Sequence, residues 1–141
     1  MQASSRAPSK LAILCVAALG LALIGAVLAQ SLQDQPVPAE ISLVLENGVL
    51  KLRDDNGHSL YVFQRDPPGG SVCVGPCARE WPPVAAPQQA HQIGDWTPVH
   101  RTDGSLQWAY KGKPVYTFRG DTAAGQTNGA EKGGLWHLLA P

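Results

Sequence analysis

The stretch LYVFQRD at residues 60–66 recurs 55 residues later as VYTFRGD at residues 115–121. The same offset relates Trp81 to Trp136, so the similarity extends well beyond one short motif. Self-similarity at a fixed period indicates a repeated structural unit. The sequence therefore predicts two tandem copies of one unit that share a core.

Each unit has the same order of parts, with repeats predicted at about residues 47–86 and 102–141. A β-hairpin arm comes first, then Tyr-x-Phe-x-x-Asp, a glycine-containing loop and a tryptophan that opens a final apolar run. The repeat-motif residues are Tyr61, Phe63, Asp66, Trp81, Tyr116, Phe118, Asp121 and Trp136.

The N-terminus carries a targeting signal. Arg6 and Lys10 precede an apolar run over residues 11–28, and Ala29 supplies a small residue before a cut. This order is typical of a secretory signal peptide. We predict such a peptide over residues 1–29, which implies a secreted or periplasmic protein.

The alternative is an uncleaved membrane anchor, because an apolar run of 18 residues lies at the lower edge of what spans a bilayer. Gly20, Gly25 and the small-residue cut site favour removal. Cys15 lies inside the apolar run after Leu14, whereas a lipoprotein signal needs a small residue there, so we expect no lipid anchor.

Charge excludes two classes of partner. Removal of residues 1–29 takes two of the eleven basic residues and none of the eleven acidic ones, which leaves a nearly neutral chain without a basic run. An electrostatic footprint for nucleic acid is therefore missing, as is a polybasic membrane patch. We expect membrane contact only through an uncleaved signal.

The remaining chain is predicted to be mainly β. Residues 30–40 are polar and contain two prolines, which indicates an extended linker. Asn47-Gly48, flanked by apolar runs, is a strong hairpin signal. No stretch after residue 30 shows a sustained helical period. We predict one small domain over residues 41–141, built from two tandem β-hairpin repeats with pseudo-two-fold symmetry. The predicted strands lie at residues 41–45, 49–53, 60–63, 96–101, 106–110, 115–118 and 135–139.

Six prolines make residues 67–87 irregular, and this segment contains Cys73 and Cys77. After signal removal these are the only cysteines, and an even count in an oxidising compartment favours a local disulfide. Haem attachment and a thioredoxin-type redox pair both need a two-residue spacing, whereas three residues separate these cysteines. Metal binding is the remaining alternative.

Asp66 and Asp121 occupy equivalent positions of the two repeats. Two carboxylates brought together could act as acid and base or bind a cation. The other interpretation, which we favour, is that each caps the turn after its strand by accepting backbone N–H bonds.

Most aromatic side chains are predicted to form the core, because a small β domain needs their buried area. Trp108 and Tyr110 are the exceptions that we expect to line a ligand surface. The histidines lack the spacing of a metal site, so we expect no metal and no cofactor. They are His58, His91, His100 and His137.

Together these motifs resemble the bacterial secreted-repeat family, which is known for predicted lipoproteins with a Tyr-x-(Phe/Trp/Tyr)-x-x-Asp motif. The resemblance covers about residues 47–141 and implies an envelope location and two tandem repeats. It implies no catalytic residues. It rests on residues 57–63 with Asp66, 71–78, 81–83, 107–114, 116–121 and 136–137.

No nucleophile elbow, phosphate loop or dinucleotide fingerprint occurs in the chain. We therefore expect a non-catalytic envelope protein, a small β module that binds an unknown ligand or surface component. The alternatives are a redox or metal-binding protein that uses His58, His137 or the Asp66 and Asp121 pair, and a hydrolase that uses the two carboxylates.

Overall fold

The structure is a computed structural model, and it describes residues 36–141. The predicted signal peptide at residues 1–29 and residues 30–35 of the predicted linker lie outside the described residues. Within the described part, no helix has the length and apolar character needed to cross a membrane.

Short strands dominate the described domain, so the fold is mainly β, as predicted. The elements in chain order are β1 (Ile41–Glu46), β2 (Val49–Asp54), β3 (Tyr61–Phe63), α1 (Pro76–Glu80), β4 (Ala85–Ala86), β5 (Trp96–His100), β6 (Leu106–Tyr110), β7 (Lys113–Tyr116), a 3₁₀ turn (Lys132–Gly134) and β8 (Trp136–Leu138).

The first hairpin, β1 with β2, forms a two-stranded antiparallel sheet of its own. Asn47 and Gly48 make its tight turn with φ angles of 51° and 78°. Positive φ at both central residues is what a two-residue hairpin turn of this type requires. One face of the hairpin packs into the core through Ile41 and Leu52, which are both buried.

The other strands form a six-stranded sheet in the order β4, β6, β7, β3, β8, with β5 paired to the opposite edge of β6. Pro98 lies within β5, which is an edge strand, because a proline cannot donate to a second neighbour. The pairing of β3 with β7 joins the two repeats at the middle of this sheet.

The hairpin β5–β6 is the counterpart of β1–β2. Leu43 lies opposite Leu52 in the first, and Pro98 lies opposite Trp108 in the second. The loop after β5 is one residue longer than the Asn47-Gly48 turn, so β6 corresponds to β2 at an offset of 56 residues. The structural repeats thus include β1 and β5, which the predicted starts at residues 47 and 102 leave out, because these two strands share little sequence.

A pseudo-two-fold axis passes between Tyr61 and Tyr116, which lie opposite each other in the pairing of β3 with β7. Backbone hydrogen bonds repeat on both sides of this axis, as expected for two equivalent units. The matched pairs are Gln64 N to Leu135 O (2.8 Å) with Arg119 N to Glu80 O (2.9 Å), and Leu139 N to Leu60 O (2.8 Å) with Val84 N to Val115 O (2.9 Å).

Two clusters of buried side chains form the core. One lies beneath the hairpins and contains Ile41, Leu52, Leu60, Val84, Ala86, Trp96, Leu106, Trp108 and Val115. The other lies at the pseudo-two-fold axis and contains Tyr61, Cys73, Trp81, Tyr116, Phe118 and Trp136.

The domain begins earlier than the predicted boundary at residue 41. Residues 36–40, assigned to the linker from their polarity, pack against the domain, and Pro38 is fully buried. Ile41 N donates to Pro38 O at 2.9 Å, and Glu40 Oε2 accepts from Trp108 Nε1 at 3.1 Å. A single buried proline and one long-range hydrogen bond leave no pattern in a short polar segment.

Two local predictions need correction. The segment 67–87, predicted to be irregular, contains α1 and β4, since Pro76 suits the first position of a helix. The strand predicted at 115–118 ends at Tyr116, because Thr117 N donates to Pro82 O and so joins the second repeat to the end of the first.

Candidate functional site

Four aromatic rings form a continuous stack across the pseudo-two-fold axis. Trp81 and Trp136 are parallel at its centre, with ring centroids 3.7 Å apart and an interplanar angle of 3°. Phe63 stacks on Trp136 at 4.4 Å, and Phe118 lies on the outer face of Trp81 at 4.4 Å. Each phenylalanine therefore packs on the tryptophan of the other repeat.

The tyrosines of the motif are exchanged in the same way. Tyr61 donates its hydroxyl hydrogen to Asp121 Oδ2 at 2.6 Å, and Tyr116 donates to Asp66 Oδ2 at 2.5 Å. Both hydrogen bonds join residues of different repeats. The motif residues are thus a single interlocked centre rather than two separate sites.

The second oxygen of each aspartate caps the loop that follows its strand. Asp66 Oδ1 accepts from Val72 N at 2.8 Å, and Asp121 Oδ1 accepts from Asn128 N at 2.8 Å. This is the geometry of the turn-capping interpretation. Both carboxylates have their oxygens occupied by protein donors.

Burial perturbs the titration of this centre. Loss of solvent raises the pKa of Asp66 above its usual value, against the opposing effect of the Tyr116 hydroxyl. Burial, followed by the hydrogen bond to Asp66, raises the pKa of Tyr116 to about 12. Burial and Asp121 likewise raise the pKa of Tyr61. Both phenols therefore stay protonated and act as donors at neutral pH.

Access to these groups is closed. Tyr61 and Tyr116 are each 0% exposed, and Asp121 is 4% exposed. A general acid or base must come within hydrogen-bonding reach of its substrate. The arrangement holds the fold together and has no open position where a substrate could sit.

A buried polar network, which the sequence does not single out, supports one side of the centre. Arg101, 7% exposed, donates to Gln107 Oε1 at 2.6 Å, to Ser71 Oγ at 3.0 Å and to Cys73 O at 2.7 Å. Ser71 Oγ in turn lies 2.7 Å from the Tyr116 hydroxyl. No local spacing links these residues, so only the folded chain brings them together.

Cys73 and Cys77 form the predicted disulfide, with an S–S distance of 2.01 Å. Cys73 is buried in the aromatic cluster, and Cys77 lies in α1. In this oxidised form neither sulfur is a thiolate, which is the species that ligates metals.

The histidines remain separate. His58 Nδ1 lies 3.0 Å from Asp54 Oδ2, and His137 Nδ1 lies 3.0 Å from Glu131 Oε1. Across residues 36–141, no three His, Cys, Asp or Glu side chains are grouped as metal ligands.

The predicted ligand surface of Trp108 and Tyr110 is wrong for Trp108. That indole is 2% exposed, because it belongs to the core beneath the hairpins, like its counterpart Leu52. Tyr110 is half-buried against Trp96 and borders a shallow depression with Lys111. An aromatic at an alternating strand position faces the core or the solvent according to strand register, which the sequence leaves open.

The largest difference between the repeats is on the surface. The core-facing side of β1–β2 continues to Leu45, which is 60% exposed, and Val49 on the other side is 58% exposed. A mostly apolar groove of about 180 Å³ follows the outer edge of β2. We call it the hairpin groove, and its apolar lining is Leu50, Leu52, Leu60, Leu138 and Leu139.

Comparison with known proteins supplies a family but no function. A protein-family model described as a secreted repeat of unknown function matches two segments, residues 50–85 and 97–140. These segments correspond to the two structural repeats, and the description indicates a secreted protein. Neither a curated protein nor a solved structure matches the chain. The chain therefore belongs to the family of secreted repeats of unknown function.

Proposed function

We propose that this protein is a non-catalytic binding module of the periplasm or of the secreted fraction, and that the hairpin β1–β2 presents its binding surface. The observation that carries the proposal is the difference between the two hairpins. The hairpin β5–β6 is built into a six-stranded sheet, whereas β1–β2 stands as a two-stranded sheet with exposed apolar side chains.

The repeat motif supports a binding role by exclusion. Its tyrosines, tryptophans and aspartates are consumed by the core, with their polar atoms bonded to each other or to backbone. A ligand must therefore bind elsewhere. The motif supplies a rigid support for whatever surface does so.

The hairpin is suited to that task. Isolated two-stranded sheets are marginally stable in water, yet β1–β2 is held by the core contacts of Ile41 and Leu52. Its tip extends beyond these contacts and exposes Leu45, Val49 and, at 36%, Val44. Contiguous exposed apolar residues mark interaction sites in soluble proteins.

The test is thermal unfolding of the purified protein against a panel of envelope sugars, peptides, lipids and metals. A ligand that binds only the folded state must raise the midpoint of unfolding. Amide chemical-shift mapping then locates it, and we expect the shifts to fall on β1, β2 and the hairpin groove. Leu45→Lys should abolish the stabilisation. Val74→Lys, at a valine that is 46% exposed outside the hairpin, is the matched control.

Three results would contradict the proposal. Copper, iron or haem in protein purified without chelator would favour the redox or metal alternative. Turnover of a panel member would favour an enzyme. Ligand-induced shifts confined to the surroundings of Asp66 and Asp121 would return attention to the carboxylates.

A further inference from the structure

We infer that an extended apolar segment of another polypeptide adds to the outer edge of β2 as an antiparallel strand, an assignment that rests on the proposed function. Strand addition of this kind uses backbone hydrogen bonds for affinity and side-chain pockets for selectivity. The argument comes from the second repeat, where the chain itself fills the equivalent edge.

In the second repeat, β4 covers the outer edge of β6. Ala85 lies opposite Gln107 and Ala86 lies opposite Leu106 in an antiparallel pairing. Trp108 N donates to the carbonyl of the residue before β4, Val84, at 2.8 Å. Ala86 is 7% exposed and belongs to the core beneath the hairpins, so a small apolar residue closes this edge.

The corresponding edge in the first repeat lies at Leu50–Leu52 of β2. Glu46 and Val49 close the two-residue turn, so the next pair along, Leu45 with Leu50, is a non-hydrogen-bonded pair of the hairpin. The N–H and C=O of Leu50 therefore point away from β1. Among the described residues, no strand pairs with this part of β2 on that side.

The end of the second repeat approaches the edge but does not close it. Leu139 N donates to Leu60 O as Val84 N does to Val115 O, so the two paths match up to this point. Beyond it, Pro141 stands at the position of Ala86. The alternation of the ladder directs the Ala86 N–H towards β6. Proline has no N–H, so Pro141 cannot make the equivalent bond to Leu50.

The space left between β2 and residues 138–141 is the hairpin groove. Its occupant must supply a backbone donor and acceptor to Leu50 and an inward side chain that fits an apolar slot. The segment that fills the equivalent place has the sequence Val84-Ala85-Ala86. We therefore assign the groove to an extended segment with small apolar residues facing inwards, and not to a sugar or an ion.

The probe is a blocked peptide with the sequence of residues 82–88, PPVAAPQ, titrated into the full domain and followed by amide chemical shifts. We expect saturable shifts at Leu50–Leu52. Methylation of the peptide nitrogen equivalent to Ala86 should weaken binding about 10-fold, because a buried acceptor is left unpaired. Methylation at the Ala85 nitrogen, which points away from the ladder, is the matched control and should change affinity little.

A protein variant tests the same bond from the other side. Leu50→Pro removes the outward N–H but keeps the bonds of the β1–β2 ladder, since an edge strand tolerates a proline whose N–H side faces outwards. Leu50→Ala shortens the side chain and keeps the N–H. Leu50→Pro should therefore bind the peptide about 10-fold more weakly than Leu50→Ala does.

The outcomes separate the two proposals. Equal affinity of both methylated peptides would overturn strand addition, even if Leu50→Pro failed to fold. A different envelope ligand that shifts the hairpin while PPVAAPQ does not would overturn strand addition and leave the binding module intact. A dimer in sedimentation that Leu50→Pro dissociates would assign the edge to a second copy of the chain and overturn the peptide assignment.

Discussion

At the scale of single residues, the hydroxyl groups of Tyr61 and Tyr116 are the polar links between the repeats. Each donates to an aspartate that also caps a loop of the opposite repeat. A phenylalanine at either position would keep the ring packing and lose only this bond. The two tyrosines therefore allow the polar contribution to be measured apart from the aromatic one.

Tyr61→Phe should lower the free energy of unfolding by about 1–3 kcal/mol, because it leaves a buried oxygen of Asp121 without its donor. Urea unfolding measures the change. Tyr110→Phe, at a half-buried tyrosine outside the axis, is the control and should stay within about 0.5 kcal/mol of the unsubstituted protein. Equal effects of both substitutions would contradict the assigned role.

Asp66 makes stability depend on pH. Burial raises its pKa in the folded state above the usual 3.8, so the unfolded chain releases the proton first as the pH rises. The contribution of this group to the free energy of unfolding is full below pH 3.8 and is lost as the pH rises through the folded-state pKa. Asp66→Asn should lack this dependence.

The stability difference between the unsubstituted protein and Asp66→Asn should therefore fall as the pH rises above 3.8, and then become constant. Other titrating groups cancel in the difference. Urea unfolding of both proteins across the acid range tests the sign. A difference that grows with pH would show that hydrogen bonds to the carboxylate outweigh its burial.

At the scale of elements, the disulfide ties α1 to the aromatic cluster through a short loop. Cys73 also offers its carbonyl to Arg101, so the loop position matters to the buried polar network. The chain-entropy model assigns a loop of this length about 2 kcal/mol. Both effects concern the same few residues.

Reduction of the Cys73–Cys77 bond should lower the free energy of unfolding by about 2 kcal/mol. The measurement is urea unfolding of a chain that starts at residue 36, with and without reductant, and with thiols counted in both samples. An unchanged midpoint in fully reduced protein would show that packing alone holds the loop.

At the scale of the whole molecule, the two repeats complete each other. Every inter-repeat contact at the axis, including the swapped Tyr–Asp bonds and the paired tryptophans, is lost if one repeat is missing. A single repeat would expose half of a buried aromatic cluster. Stability should therefore belong to the pair and not to the unit.

Fragments 36–90 and 91–141 should each lack a cooperative unfolding transition, and mixing them should restore the near-ultraviolet circular dichroism of the intact domain. The cut falls in an exposed stretch between β4 and β5. A native-like spectrum from either fragment alone, as a monomer in sedimentation, would contradict the shared core.

The predicted signal peptide gives the last prediction. Protein recovered from the periplasm or the medium should begin near Gln30, which N-terminal sequencing establishes directly. Recovery only in membranes, with Met1 retained, would instead support an uncleaved anchor.

Local information accounts for what the sequence by itself determined. The repeat, the mainly β fold and the hairpin at Asn47-Gly48 follow from spacing and turn chemistry, which act within a few residues. The disulfide follows from two nearby cysteines and their compartment. The motif also predicted that Asp66 and Asp121 are equivalent, since duplication preserves position.

Tertiary structure decided everything that depends on residues far apart in the chain. Only the pairing of β3 with β7 shows that each tyrosine bonds the aspartate of the other repeat. Strand register buries Trp108, and a single proline, Pro141, leaves the edge of β2 open where Ala86 closes that of β6. Burial and long-range hydrogen bonds arise when distant segments meet, and no local pattern encodes which segments those are.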